Sequence, residues 1–134
     1  MLEFFYTSIS DSIPAIPIVP ILLVNPKDSA ITFVSEFGII DTGSDITAVS
    51  FSVISKLRLR PLPSTDLPPI KIMGHEVKGV PYLVDFGFDR ASKNRVIIFA
   101  IPDDVIKDEV IVGRNILNLY QINLDGCNGT FTIS

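Results

Sequence analysis

The sequence has very few of the side chains that most often bind metals or form crosslinks. Cys127 is the only cysteine and His75 the only histidine among 134 residues. One cysteine excludes an intrachain disulfide and a cysteine-based metal cluster, and one histidine excludes a site built from several imidazoles. We therefore expect no metal and no other cofactor.

Basic residues are also scarce. The chain has 11 lysines and arginines against 15 aspartates and glutamates, and the basic residues are scattered along it. A nucleic-acid-binding surface is usually a basic patch, so no nucleic-acid partner is expected.

Long apolar runs are missing as well. The longest, residues 15–24, is too short to span a bilayer and is interrupted by Pro17 and Pro20. The N-terminal residues lack the basic region and the cleavage site of a secretory signal. These features predict a soluble, cytoplasmic protein without a membrane partner.

Apolar side chains, in contrast, are abundant and make up 47% of the sequence. The length predicts one domain covering residues 1–134. So much apolar surface in a small chain suggests that some of it is buried against another molecule. A homodimer interface is the simplest candidate.

The apolar residues are arranged in a pattern that predicts a mostly β fold with one or two short helices. Ser50 can cap a helix over residues 51–57, and helical spacing recurs over residues 114–120. Around Gly74 and His75, two apolar alternations predict a protruding hairpin over residues 70–80. The predicted strands cover residues 2–8, 15–24, 30–40, 46–49, 80–88, 95–101, 110–112, 121–124 and 130–133.

Two details of these strands are constrained by residue type. Prolines confine residues 15–24 to a sheet edge or to bulged pairing, because proline cannot donate a ladder hydrogen bond. Gly38, inside the strand over residues 30–40, predicts a bulge.

The polar segment Asp41-Thr42-Gly43-Ser44-Asp45 lies between two apolar segments, residues 37–40 and 46–49. Asp, Gly and Ser are ordinary turn residues, so a turn is one interpretation. A functional site is the other, because burying an unpaired carboxylate costs several kcal/mol, of order ~3–5. The five residues alone do not distinguish the two.

A second segment, Ile111-Val112-Gly113-Arg114-Asn115, favours the functional interpretation. The two segments together resemble the retropepsins, the retroviral-type aspartic proteases. In that family an apolar strand carries Asp-Thr/Ser-Gly, a glycine-containing hairpin forms the flap, and two apolar residues with Gly-Arg-Asn/Asp open a terminal helix. All three parts occur here in that order, over roughly residues 15–124.

The resemblance implies a closed, barrel-like acid-protease fold with a flap at residues 70–80, working as a C2 homodimer that hydrolyses peptide or protein substrates. Asp41 resembles the catalytic aspartate, and Gly43 the motif glycine whose carbonyl faces substrate. Thr42 resembles the residue whose hydroxyl bonds the partner subunit's main chain. Asp45 and Arg114 match an ion pair within one subunit. The flap residues that would contact substrate are Ile72, Met73, Gly74, His75 and Val77.

Asp-Thr-Gly occurs once in the chain, whereas this chemistry needs two carboxylates that share one proton. Asp125-Gly126 lacks the hydroxyl residue and lies in a turn pattern, so it is not the second half. The second aspartate is therefore expected from another copy of the chain, with the site on a two-fold axis.

The chain departs from the family pattern in three places. Ser44 stands where many retroviral enzymes have alanine, and a hydroxyl that donates to the ionised Asp41 would move activity to lower pH. The hairpin has fewer glycines than retroviral flaps. Ten residues follow Leu124, so the dimer sheet is expected to differ.

Two other functions fit part of this pattern. A noncatalytic peptide-binding or dimerisation module on the same fold is the main alternative, although a pure binder gains little from an intact Asp-Thr-Gly. A metal site formed by Asp103, Asp104, Asp108 and Glu109 lacks the glycine turn and the spacing of a calcium loop.

Overall fold

The computed structural model describes residues 1–63, 69–72 and 75–134, with Ile72 and His75 described by their backbone alone. Its helices are α1, Phe51–Leu57, and α2, Arg114–Leu117. Its strands are β1 Leu2–Phe5, β2 Ile18–Asn25, β3 Asp28–Ile40, β4 Ala48–Ser50, β5 Ile70–Ile72, β6 His75–Val77, β7 Val80–Gly87, β8 Lys93–Ile101, β9 Val110–Val112, β10 Ile122–Asp125 and β11 Thr130–Ile133.

Six strands close into a barrel in the order β2-β3-β9-β4-β8-β7. Apolar residues alternate along β2 and β7 and point into the barrel, because side chains two apart share one face of a strand. The interior positions Val19, Ile21, Leu23, Val84 and Phe86 are completely buried. The predicted mostly β architecture with two short helices is confirmed.

The bulge predicted in the first hairpin is present. The β2–β3 register shifts between Val19 and Ile21, at Pro20, and Gly38 pairs with Val19 beside that shift. A Cβ on Gly38 would overlap the Ile21 side chain, so only glycine fits there. Both options for the prolines apply at Pro20, which lies at the register shift in a part of β2 that pairs with β3 alone, because β7 pairs only with Leu22–Val24.

Helix α1 forms as predicted. The Ser50 hydroxyl accepts a hydrogen bond from the Val53 N–H, and Val53, Ile54 and Leu57 are buried against the barrel. Helix α2 is shorter than predicted. After Leu117 the chain continues in tighter turns, with the Tyr120 N–H donating to the Leu117 carbonyl, so the α-helical ladder ends while Tyr120 still packs on the core.

The chain termini form a separate three-stranded sheet in the order β1-β11-β10. Both pairings are antiparallel, with Phe4 opposite Phe131 and Leu124 opposite Phe131. The rings of Phe4 and Phe131 stack at 5.2 Å and join this sheet to the barrel core. Among the described residues, no helix combines the length and apolar character needed to cross a membrane.

Candidate active site

The Asp41 loop is positioned by a crossover at one end of the barrel. Strand β9 lies between β3 and β4, pairing in parallel with β3 (Ile40 opposite Val112) and antiparallel with β4 (Ala48 opposite Ile111). The segment 41–47, which joins β3 to β4, must therefore pass over the end of β9. The Asp41 N–H donates to the Val112 carbonyl at 3.0 Å and fixes the start of this crossing.

Gly113 is the residue that makes the crossing possible. It follows β9 directly, and a Cβ at this position would overlap the carbonyl group of Ile46 on the segment that crosses above it. Its φ of −95° is open to any residue, so close approach of two main chains is the reason for glycine here.

The Asp41 carboxylate is half-buried and held by its own loop. Its Oδ1 accepts the Gly43 N–H at 3.0 Å, and its main-chain carbonyl accepts the Ser44 N–H at 3.2 Å. A Cβ on Gly43 would lie 3.3 Å from the same Oδ1. Thr42 and Gly43 are exposed beside it. The carboxylate is thus presented at the surface in a defined orientation.

Ser44 does not serve the role expected of its hydroxyl. The side chain is only 3% exposed, and Oγ donates to the Ile46 carbonyl at 2.7 Å. A hydroxyl has one proton to donate. The expectation that this proton stabilises the ionised Asp41 is therefore wrong, and Ser44 instead ties the two ends of the loop together.

Arg114 contacts the loop in three ways. Its guanidinium forms an ion pair with Asp45 and donates to the Thr42 carbonyl at 2.7 Å. Its main-chain N–H donates to the Ser44 carbonyl at 2.8 Å. The structure thus brings together Asp45 and Arg114, which the sequence motifs paired. In the single chain Asp45 is 81% and Arg114 43% exposed, so the ion pair lies at the surface.

Two positioning residues were missed by the sequence interpretation. Thr47 is completely buried, and its Oγ1 accepts the Gly113 N–H at 3.1 Å and donates to the Asn115 Oδ1 at 2.8 Å. The Asn115 Nδ2 donates in turn to the Ile97 carbonyl at 2.8 Å. The sequence does contain a sign of Thr47's role: a hydroxyl residue inside the apolar segment 46–49 is expected to be buried, and a buried hydroxyl needs hydrogen-bond partners.

The predicted hairpin at residues 70–80 is present as strands β5 and β6, with Ile70 opposite Val77 and Ile72 opposite His75. Val77 is half-buried and packs, with Ile46 and Ile70, on a small apolar cluster that includes Ile111. Met73 and Gly74, two of the residues expected to contact substrate, lie outside the described residues.

An open groove of about 420 Å³ separates the hairpin base from the Asp41 loop. Ile46, Ile70 and Phe99 give it an apolar wall, while Asp45 and Lys71 place opposite charges at its rim. It is lined by Gly43, Asp45, Ile46, Pro69, Ile70, Lys71 and Phe99.

Asp125 and Asp103 both accept hydrogen bonds away from the Asp41 loop. Asp125 accepts the Asn128 side-chain amide at 2.7 Å and its N–H at 3.1 Å, and these bonds lower the pKa of Asp125. Asp103 accepts the Ser52 hydroxyl and N–H at the start of α1, and the hydroxyl bond is the main cause of its lowered pKa. In the described part of the chain, no group of three or more His, Cys, Asp or Glu side chains could hold a metal ion.

Comparison with protein-family models gave no match, and comparison with curated proteins gave none either. Among solved structures, the chain is similar to EIAV protease complexed with the inhibitor HBY-793, with a TM-score of 0.55 and 17% sequence identity. The similarity covers 82% of this chain and 92% of that one. The chain therefore has a fold like that of a retroviral protease. At this identity the likeness concerns the fold alone.

Proposed function

We propose that the protein is an aspartic endopeptidase whose active site forms between two copies of the chain, each contributing Asp41. The observation that carries this proposal is the placement of the Asp41 carboxylate, which is held by the Gly43 N–H at 3.0 Å in a loop whose Gly43, Asp45 and Ile46 line an open groove. A retroviral-protease-like fold around that loop supports it.

The chemistry follows from two facing carboxylates. Since like charges about 3 Å apart cannot both ionise, the pair shares one proton. The ionised carboxylate takes a proton from a water molecule, whose oxygen attacks the scissile carbonyl carbon. The protonated carboxyl donates to the carbonyl oxygen. Transfer of a proton to the peptide nitrogen then allows the C–N bond to break, which leaves a carboxylic acid and an amine and restores the singly protonated pair.

The loop is suited to this work because its geometry is fixed before substrate arrives. The Arg114 guanidinium and the Thr47–Asn115 bond tie it to the segment after β9, and the Ser44 hydroxyl forms a bond within the loop. Preorganised groups lower the reorganisation needed during the reaction. Thr42, exposed in the single chain, would bond the main chain of the second copy.

The substrate would bind as an extended strand, with main-chain hydrogen bonds to the groove walls and side chains in apolar pockets. Ile46, Ile70 and Phe99 would accept an apolar side chain. The hairpin would act as the flap that closes over the peptide, with its contacts from Ile72, Met73, Gly74, His75 and Val77.

The second copy would dock against a terminal sheet whose three strands all come from one chain. Because β1, β11 and β10 pair within one chain, β1 and β10 are left as edge strands in the described structure. A symmetric copy can extend the sheet at such an edge without exchanging strands. Leu119, which is 55% exposed, lies just before β10, and Leu124, which is 45% exposed, lies on it; both add apolar surface there.

A peptide-library cleavage assay tests the proposal. Purified protein and its Asp41→Asn variant are compared at several acidic pH values, with and without pepstatin. The asparagine is nearly isosteric but can neither act as the base nor share the proton. We expect pepstatin-sensitive cleavage by the wild type and none by the variant. Equal cleavage by both would place the chemistry elsewhere. Peptide binding without any cleavage would favour a noncatalytic binding module.

A further inference from the structure

The far end of the barrel holds a cavity that the proposed protease chemistry does not use. It has a volume of about 470 Å³ and lies between the β2–β3 turn, the segment after α1, and β7. It is lined by Asn25, Pro26, Lys27, Asp28, Arg58, Leu59, Arg60, Pro61, Leu62 and Leu83, here called the basic cavity. Strand β3, whose 13 residues separate this end from Asp41, spans up to about 40 Å at ~3.3 Å per residue.

Positive charge is concentrated at this cavity although the chain carries a net charge of −4. Lys27, Arg58 and Arg60 are all exposed around it. The ion pairs found within residues 1–63, 69–72 and 75–134 are Lys56–Asp108, Arg95–Asp85 and Arg114–Asp45, and none includes a cation of the cavity. Asp28, the one acidic residue among the described residues of its lining, accepts the Ala30 N–H at 3.0 Å within its own turn.

The walls of the cavity are tied in place. The buried Asn25 side chain donates to the Leu57 carbonyl at 2.9 Å and accepts the Lys27 N–H at 2.9 Å, which joins the end of α1 to the β2–β3 turn. The Leu62 N–H donates to the Pro81 carbonyl at 2.9 Å and holds the segment after α1 against β7. The cavity is thus formed before any ligand binds.

Arg58 occupies a position that does not favour arginine. It ends α1 with φ 53° and ψ 39°, the only non-glycine residue with positive φ among those described. Glycine is the usual residue there, because a Cβ is disfavoured in the left-handed region. Because strained backbone conformations are common at functional sites, the strain at Arg58 suggests that its side chain has a function in the cavity.

We propose that the basic cavity is a docking site for an acidic peptide segment of a partner protein, one in which Asp or Glu residues alternate with apolar ones. The three cations would pair with the carboxylates, and Leu59, Leu62 and Leu83 would contact the apolar side chains. The apolar walls and the small number of cations favour such a segment over a nucleic acid, which is typically bound by broad basic surfaces.

Fluorescence anisotropy tests this docking site independently of catalysis. The probe is a short fluorescein-labelled peptide that alternates glutamate and leucine, and the protein carries Asp41→Asn so that the probe stays intact. The test variant adds Arg58→Gly and Arg60→Gln. The control variant instead adds Arg90→Gln and Lys107→Gln, which change the net charge equally at exposed cations outside the cavity and outside the hairpin.

We expect the probe to bind with a Kd that rises with salt, and the test variant to raise that Kd about tenfold while the control changes it less than about twofold. Arg58→Gly removes the side chain that is disfavoured at positive φ, so the unfolding temperature of the test variant should be unchanged or higher than that of the Asp41→Asn protein. If it falls instead, Lys27→Gln with Arg60→Gln replaces it as the test variant and should weaken binding equally.

Three results would overturn the proposal. One is equal binding by test and control variants. Another is equally tight binding of a probe with glutamine in place of glutamate. The third is no binding of the acidic probe below about 1 mM, the weakest affinity worth assigning to a specific site.

Discussion

Because the Asp41 loop crosses closely over the end of β9, any side chain at Gly113 should destabilise the protein. In Gly113→Ala the new Cβ would overlap the main-chain carbonyl of Ile46. A main-chain group cannot rotate away as a side chain can, so the loop itself must move. The Ile46 carbonyl also accepts the Ser44 hydroxyl at 2.7 Å, and that bond would be strained with it.

The expected loss of stability can be built from these two effects. Overpacking in a well-packed site costs about 1–3 kcal/mol, and a backbone clash belongs at the upper end of that range. Weakening a buried hydrogen bond adds about 1 kcal/mol. We therefore expect Gly113→Ala to lower the free energy of unfolding by about 3–4 kcal/mol, and Tm by roughly 10 °C for a chain of this size.

Urea unfolding of Gly113→Ala measures this loss, and Gly126→Ala provides the matched control. A Cβ on Gly126 meets nothing within 4 Å, and Gly126 does not have a positive φ. The same substitution there should change stability by less than about 1 kcal/mol, in the stabilising direction if at all. Similar unfolding midpoints for the two variants would refute the tight crossover.

Three further substitutions test other parts of the site and its surroundings. Ser44→Ala should lower the free energy of unfolding, measured in urea, by about 1–2 kcal/mol, because the Ile46 carbonyl loses a buried donor. The acid limb of the pH–rate profile should not move. A displaced limb would mean that the Ser44 hydroxyl does reach Asp41. Arg114→Ala should lower the free energy of unfolding of the single chain by about 1 kcal/mol, because the Asp45 ion pair is exposed and the only other side-chain bond lost is that to the Thr42 carbonyl. A loss of 3 kcal/mol or more, roughly that of a buried ion pair, would show that dimerisation buries the pair. The pKa of Asp103 is lower in the folded protein than in the unfolded chain, so ionised Asp103 stabilises the fold above the ordinary carboxyl pKa, and this contribution disappears as pH falls through the folded-state pKa. The free energy of unfolding of Asp103→Asn should therefore approach that of the wild type below about pH 4. A difference between the two that stays constant with pH would contradict the Ser52 bonds.

Local features of the fold were predictable from sequence because their causes are local. The cap at Ser50 and the spacing of Val53, Ile54 and Leu57 determine α1, and the Pro20 and Gly38 positions determine the bulge. The retropepsin-like motifs also placed Asp45 beside Arg114 correctly.

Features that depend on distant pairing were not predictable in the same way. The Thr47–Asn115 hydrogen bond joins residues 68 apart in sequence, and its geometry exists only once β9 lies between β3 and β4. The direction of the Ser44 hydroxyl depends on where the crossing leaves the Ile46 carbonyl. Closure of β1 onto β11 depends on strands from opposite ends of the chain, which no local pattern specifies.

The central claim, a catalytic pair of Asp41 residues from two copies, is tested most directly by mixing wild type with Asp41→Asn protein at constant total concentration. Mixed dimers would hold one carboxylate and be inactive, so activity should follow the square of the wild-type fraction, falling to about one quarter in an equal mixture. A linear fall to about one half, from chains that each act alone, would contradict the account.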